Sequence, residues 1–256
     1  MQELLDYPVA VFVISLIVFW SAVHGGCVLA VRLRERDDPD RDDLTLITSS
    51  SLTLLALVIG FNFSMAMGRY DQRRNYEEEE ANAIGTEYVR ADLLPAQDAD
   101  RVRALLKAYL DQRLLFYATH DKDQLRSINS EEARIESAMW KIVQTAANAQ
   151  PSNPMILVIS GMNDVLNRTG YTQAAWRYRV PPGAWWTMVL LGIGCSLLIG
   201  FSAKRRRPML LAFPFLVSIA LFFIADIDSP RKGLIRVPPV DLISLSQSLH
   251  ASERGK

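Results

Sequence analysis

The residues of this chain that could do chemistry are few and scattered. Its two cysteines, Cys27 and Cys195, lie inside apolar runs, and His24, His120 and His250 have no ligand spacing. Neither set reads as a disulfide framework or a metal site. No nucleophile motif, phosphate-cradling loop or His/Asp/Glu cluster occurs, so the sequence argues against an enzyme, and neither cofactor nor metal is expected. What remains are charged and hydroxyl groups in unusual surroundings. Asp226 sits near the end of an apolar stretch; it is either a functional carboxylate at membrane depth or an ordinary helix-end group. Arg69 closes another apolar stretch and is a candidate partner for it. Glu77, Glu78, Glu79 and Glu80 form an acidic run, ordinarily a solvated helix face. Its functional alternative is an acidic ring lining the vestibule of a symmetric oligomer. Thr48, Ser49, Ser50, Ser51 and Thr53 crowd hydroxyls at one helix mouth, where they can hydrogen-bond an anion or stitch membrane helices together.

The elements that must position these groups are apolar helices. Half of the residues are hydrophobic, yet the mean hydropathy is only +0.09, an average of very apolar and very polar segments. Lys+Arg and Asp+Glu balance at 28 each, so charge points neither to nucleic acid nor to a polybasic surface protein. A spanning helix needs about 20 apolar residues to cover about 30 Å of hydrocarbon. Four stretches meet or approach that: Pro8 to Val31, Leu46 to Gly68, Gly183 to Ala203 and Met209 to Ile227. Trp185 and Trp186 open the third as an interfacial aromatic belt would, and Lys204, Arg205, Arg206 and Arg207 close it. The acidic entry Met-Gln-Glu-Leu-Leu-Asp and the length of the first stretch argue against a cleaved signal peptide. The sequence thus predicts an all-α membrane protein with four transmembrane helices and a helical domain between spans two and three. Its divisions are residues 1–68 (spans one and two), 69–182 (extramembrane domain), 183–227 (spans three and four) and 228–256 (C-terminal tail).

The extramembrane domain reads as helices throughout. Tyr70 to Leu94 continues the second span, with Ile84, Tyr88 and Ala91 as its stripe and Pro95 as its stop. Asp98 or Asp100 is expected to cap the next helix, whose apolar face is Val102, Leu105, Leu106, Tyr109 and Leu114. Asn129 with Glu132 suggests a capping box for a third, striped by Ile135, Met139, Ile142, Val143 and Ala146. After Pro151 to Pro154, Met155, Ile159, Met162 and Leu166 carry a fourth towards Tyr178, and the helices are expected to pack as a bundle. Orientation is not given by charge. The short loops hold eight basic residues, Arg32, Arg34, Arg36, Arg41 and Lys204 to Arg207, against eight near the membrane on the other side.

The segment Leu57-Val58-Ile59-Gly60-Phe61-Asn62-Phe63-Ser64-Met65-Ala66-Met67-Gly68-Arg69-Tyr70-Asp71-Gln72-Arg73 resembles the pore-lining helix of the bestrophin channels. The tail Asp226-Ile227-Asp228-Ser229-Pro230-Arg231-Lys232-Gly233 is similar to the Asp-x-Pro-Phe-x-Gly tail of their bacterial bestrophin-like relatives, with Arg231 where those have Phe. Glu80-Ala81-Asn82-Ala83 also suits that group. Lys232 to Val237 is basic and apolar where true bestrophins carry an acidic calcium clasp, so calcium gating is not implied. The resemblance implies a homo-oligomeric, pentameric ion channel conducting small anions, set in the bilayer of a bacterial inner membrane with its extramembrane domain cytoplasmic. It places a hydrophobic neck at Thr53, Leu57 and Phe61, spaced i, i+4, i+8 on one face, with Ser50, Arg69, Glu80 and Asp226 as pore-mouth or gating candidates. Such a ring would gate by dewetting, and the positive edge of Phe61 would favour anions. The competing reading is a non-conducting membrane scaffold or sensor, whose second span would face lipid or pack on neighbours.

Four spans put both ends of the chain on one side of the membrane. Cysteines introduced at Gln2 and Arg254 should therefore react together with an impermeant maleimide from one face, and labelling from opposite faces would refute the four-span reading.

Overall fold

Apolar residues at helical spacing, with no strand-period alternation, give helices throughout the computed structural model, which describes residues 5–33, 41–149, 151–203 and 208–254. The basic residues Arg34, Arg36, Lys204, Arg205, Arg206 and Arg207 fall outside the described residues. In chain order the helices are α1 (Pro8–Leu33), α2 (Arg41–Arg90), α3 (Ala96–Ala118), α4 (Lys122–Ala149), α5 (Asn153–Arg177), α6 (Pro182–Ser202), α7 (Ala212–Asp228) and α8 (Val240–Arg254). Short 3-10 turns occupy Ala91–Leu93 and Pro208–Leu211. No strand occurs among the described residues. α2 runs unbroken for 50 residues because no proline interrupts it. The chain divides into two compact units, Met1–Tyr70 with Arg179–Arg236, and Asp71–Tyr178 with Val237–Lys256.

In the first unit, α1, the first part of α2, α6 and α7 surround a core that includes Phe19, Met188, Cys195, Leu221, Ile224 and Ala225. Three stretches are long and apolar enough to cross a membrane, within Pro8–Arg32, Asp43–Leu93 and Asn153–Ser202. The fourth apolar run forms a 3-10 turn and then α7, whose 17 residues cover only about 25 Å. Between membrane helices close backbone approach substitutes for the hydrophobic effect, and small residues allow it. α6 presents Gly192, Ser196 and Gly200 at four-residue spacing, all buried. A Cβ on Gly200 would strike the Val23 carbonyl and one on Gly26 the Leu197 carbonyl, so α1 and α6 touch backbone to backbone. The Phe19 ring lies 2.7 Å from where a Gly192 Cβ would stand.

The second unit packs α2 from Asp71 onward with α3, α4, α5 and α8. Of the expected stripes, Ile84, Ala91, Val102, Leu106, Tyr109, Ile135, Met139, Val143, Ala146, Met155 and Met162 are buried, whereas Tyr88 lies beneath the Arg103 and Lys107 side chains. Two expected caps are corrected. α4 begins at Lys122, seven residues before Asn129, because Asp121 Oδ1 accepts the N–H groups of Asp123 and Gln124 at 2.9 Å each. Pro95, not Asp98 or Asp100, precedes α3, and its carbonyl accepts the Asp98 and Ala99 N–H groups.

Gly200→Leu should push α1 from α6 and lower the unfolding free energy in detergent by about 1–3 kcal/mol. Gly194→Leu, at a position with nothing within 4 Å of a Cβ, is the control and should leave the unfolding midpoint unchanged.

Candidate functional site

A helix that packs on its own chain along one stripe leaves its other faces for something else. In α2 the inward stripe is Leu55, Ile59, Asn62, Ala66 and Tyr70; Leu55, Asn62 and Ala66 are buried and the other two half-buried. The opposite stripe holds Ser50, Thr53, Leu57, Phe61, Ser64 and Gly68, all exposed. Leu57 is 54% and Phe61 64% exposed, far from the burial usual for such side chains. In its apolar window only 6% of α2 is covered by its own chain, against 33% for each of the other two stretches. The structure thus places Ser50, Thr53, Leu57 and Phe61 together on one uncovered face. The mouth hydroxyls are engaged within the helix: Thr53 donates to the Ser49 carbonyl at 3.0 Å, Thr48 to Leu44 at 2.8 Å and Ser49 to Leu46 at 2.9 Å.

Asp226 and Arg69 do not meet. Asp226, 1% exposed, accepts the backbone N–H groups of Leu234 at 2.6 Å and Ile235 at 2.8 Å, so its carboxylate folds the tail back on the end of α7. Asp228 works beside it, accepting the Val180 N–H at 2.9 Å. Arg179 donates to the Asp228 carbonyl and pairs with Asp6. The Asp-x-Asp tail is therefore a clamp on its own backbone. Arg69 is half-buried, with its Nε lacking a hydrogen-bond partner.

The acidic run requires a correction. Glu78 is exposed and Glu79 half-buried, but Glu77 and Glu80, three residues apart, point into the bundle and are 1% and 0% exposed. Both readings of the run, a solvated face or a vestibule ring, fail for Glu80, because Arg113 from α3 claims it. Arg113 Nε and Nη2 fork onto the two Glu80 oxygens, the latter at 3.2 Å, while Nη1 donates to Glu132 at 2.8 Å and Thr172 donates to Glu80 at 3.2 Å. The guanidinium also lies 4.4 Å from the Phe116 ring centre. Burial alone would lower the Arg113 pKa, but the charges of Glu80 and Glu132 and the hydrogen bond to Glu80 outweigh it and hold the group protonated. Glu132, offered by the sequence as a capping residue, is thus an ion-pair partner in the core. Arg113 was legible in one respect, since it interrupts an apolar stripe at helical spacing, Leu106, Tyr109, Arg113, Phe116, and Glu80 shares the helix phase of Ile84 and Ala91.

Two further carboxyls on the same face titrate near neutrality. Burial raises Glu77 to about 7 against the opposing Leu242 N–H, which donates to it at 2.9 Å, and the nearby Asp241 charge raises it further. Leu242 is in the first turn of α8, so Glu77 fastens that helix by its N-terminus. Glu87, 0% exposed, has neither oxygen hydrogen-bonded and is raised to about 8 by burial, with Arg90 opposing and Asp164 adding. Its carboxyl fills the space left by the missing side chain of Gly161 on α5. Among the described residues no group of three or more His, Cys, Asp or Glu is arranged to hold a metal.

Compared with known proteins, residues 16–242 match the family profile of the bestrophin-like domain. A bacterial bestrophin homologue from Klebsiella pneumoniae, solved by zinc phasing, superposes with TM-score 0.64 at 14% identity, covering 95% of this chain and 97% of that one. Two point-mutant forms of that homologue give TM-scores of 0.64 and 0.66 at 13% and 14% identity, over 95% and 94% of this chain and 98% and 97% of theirs. At such identities the likeness is one of fold. No curated protein matches the sequence.

Glu87 generates a pH prediction. A carboxyl whose folded pKa lies above its unfolded value of 4.5 contributes stability fully present below 4.5 and lost as pH rises through about 8. Stability should therefore decline across that window by on the order of 1 kcal/mol per pH unit. Glu87→Gln should abolish this component and raise the unfolding midpoint at pH 8.5 but little at pH 5; equal effects at both would disprove the buried titration.

Proposed function

The chain belongs to the bestrophin-like family, and on that premise we propose that it is a homo-oligomeric, pentameric channel for small anions whose neck is formed by Thr53, Leu57 and Phe61. The family's characterised members are ion channels rather than enzymes, and its apolar helices make this a membrane protein. The observation that carries the finer reading is the uncovered outer face of α2. A face that mixes Ser50, Thr53 and Ser64 with Leu57 and Phe61 is more polar than lipid alone favours, and copies arranged about an axis would turn it towards a water path. Narrow apolar rings exclude hydrated ions until they wet. Because Thr53 commits its proton to Ser49, anion preference would rest on the positive edges of the Phe61 rings.

The same proposal takes residues 69–182 as the extramembrane domain, cytoplasmic in a bacterial inner membrane. The 3-10 turn at Pro208–Leu211 together with α7 would complete a fourth crossing. Ser50 would stand at the pore mouth with Arg69 beyond the neck. Glu80 and Asp226 would act only by shaping the bundle and the tail that they hold.

Purified protein reconstituted in planar bilayers should carry anion current, and Phe61→Ala and Leu57→Ala should each raise conductance or leak several-fold. Silence from the wild type and from Phe61→Ala alike would reject the channel and leave a non-conducting scaffold or sensor in its place.

A further inference from the structure

The first unit carries a half-open cavity of ≈ 250 Å³ between α1, α6 and α7 that has no part in the proposed neck. Its wall includes Val11, Ser15, Val18, Trp185, Val189 and Leu221. The wall is apolar almost without exception: the Ser15 hydroxyl is turned to the Phe12 carbonyl of its own helix at 3.0 Å. Along that wall a polar ligand would lose its hydration and regain almost no hydrogen bonds. A hydrocarbon chain would lose no hydrogen bond.

The shape also favours a chain. Gly192 meets Phe19 and Gly200 meets Val23 and Cys27, so α1 and α6 run parallel in register. Trp185 is then level with Val11, and Val189 with the turn of Ser15 to Val18. From Val11 to Val18 the cavity descends about 10 Å along the helix axis. Its upper end is at the paired tryptophans, residues suited to the depth of lipid ester groups. There the Trp185 indole N–H is a donor without an acceptor: the residue is 3% exposed and Nε1 has no hydrogen-bond partner. At the same end Leu5 also lines the cavity, and two residues along the exposed Lys232 donates to the Tyr7 hydroxyl at 2.8 Å with its ammonium 4.0 Å from the Tyr7 ring centre.

We propose that this cavity is a binding site for one bilayer phospholipid. One acyl chain descends between α1 and α6, its ester carbonyl accepts from Trp185, and its phosphate lies by Lys232. The cavity supplies the chain's contacts, the indole fixes its depth, and the lysine selects a headgroup bearing phosphate. A membrane lipid would then be an integral part of the packing of α1 on α6 and α7.

The full-length protein, stripped of lipid by detergent exchange and titrated with palmitoyl-oleoyl-phosphatidylglycerol, should retain about one lipid per chain in native mass spectra. Filling the cavity with Val189→Phe should lower that affinity at least tenfold, and Trp185→Phe should lower it several-fold. Ser15→Leu fills the same space from α1 and serves if Val189→Phe alters helical content or oligomer size. Filled variants that hold lipid as the wild type does would overturn the site. Palmitate displacing the phospholipid at equal concentration would overturn the phosphate contact and with it the assignment to a phospholipid. A cross-link from a cysteine at Ile14 to a neighbouring copy in lipid-free protein, with no lipid retained, would show that a second chain fills the cavity instead.

Discussion

A guanidinium taken out of water into a helical bundle is tolerated only where counter-charge, acceptors and π-surface replace its hydration. Arg113 has all three, from four directions: Glu80 on α2, Glu132 on α4, Thr172 on α5 bracing Glu80, and the Phe116 ring on its own helix. Each contact comes from a different turn of a different element, so satisfying the charge fixes the rotation and height of α2, α4 and α5 about α3. Isolated removal of one partner from such a cluster typically costs about 3–5 kcal/mol, because the remaining charge is stranded. Apolar residues of similar volume could make as stable a core, but they would lack the fork geometry that Glu80 and Glu132 must meet. Tyr109 and Thr169 extend the same network, Thr169 donating to Glu136 at 2.8 Å.

The first unit solves a different problem with different means. Its helices hold together by contact between backbones at Gly26 and Gly200 and by a clamp of carboxylates on backbone N–H groups at the tail. One unit is specified by a buried ion-pair cluster, the other by absent side chains and carboxylates set on backbone N–H groups. Both devices are geometric, and neither adds much by area alone.

Much of this was legible in the sequence because periodicity reports burial. The stripes led by Ile135 and Met155 follow directly from 3.6-residue spacing, and the absence of proline from residues 41–90 foretold one long helix. What periodicity does not report is which charged residues of the buried faces pair with one another. Glu77 and Glu80 lie in a run of four identical residues, and only helix phase relative to Ile84 and Ala81 separates the buried pair from the exposed one. Asn129 and Glu132 match a capping pattern, but a pattern match carries no information about where the helix begins, and Asp121 had already begun it. The neck residues were reached through resemblance, and their exposure agrees with a face awaiting a partner.

Glu77 receives its hydrogen bond from a residue 165 positions later in the chain. Leu242, fully buried in the bundle, lies beyond α6 and α7, two apolar helices, and is made after them. Until then the face of α2 that carries Glu77 and the Gly85 position against which Leu245 packs lacks its α8 partner. The bundle therefore cannot close in the order in which it is made. Its last element is made after the two apolar helices α6 and α7, and any stop in translation between Tyr178 and Val240 yields a bundle with its α8 groove empty.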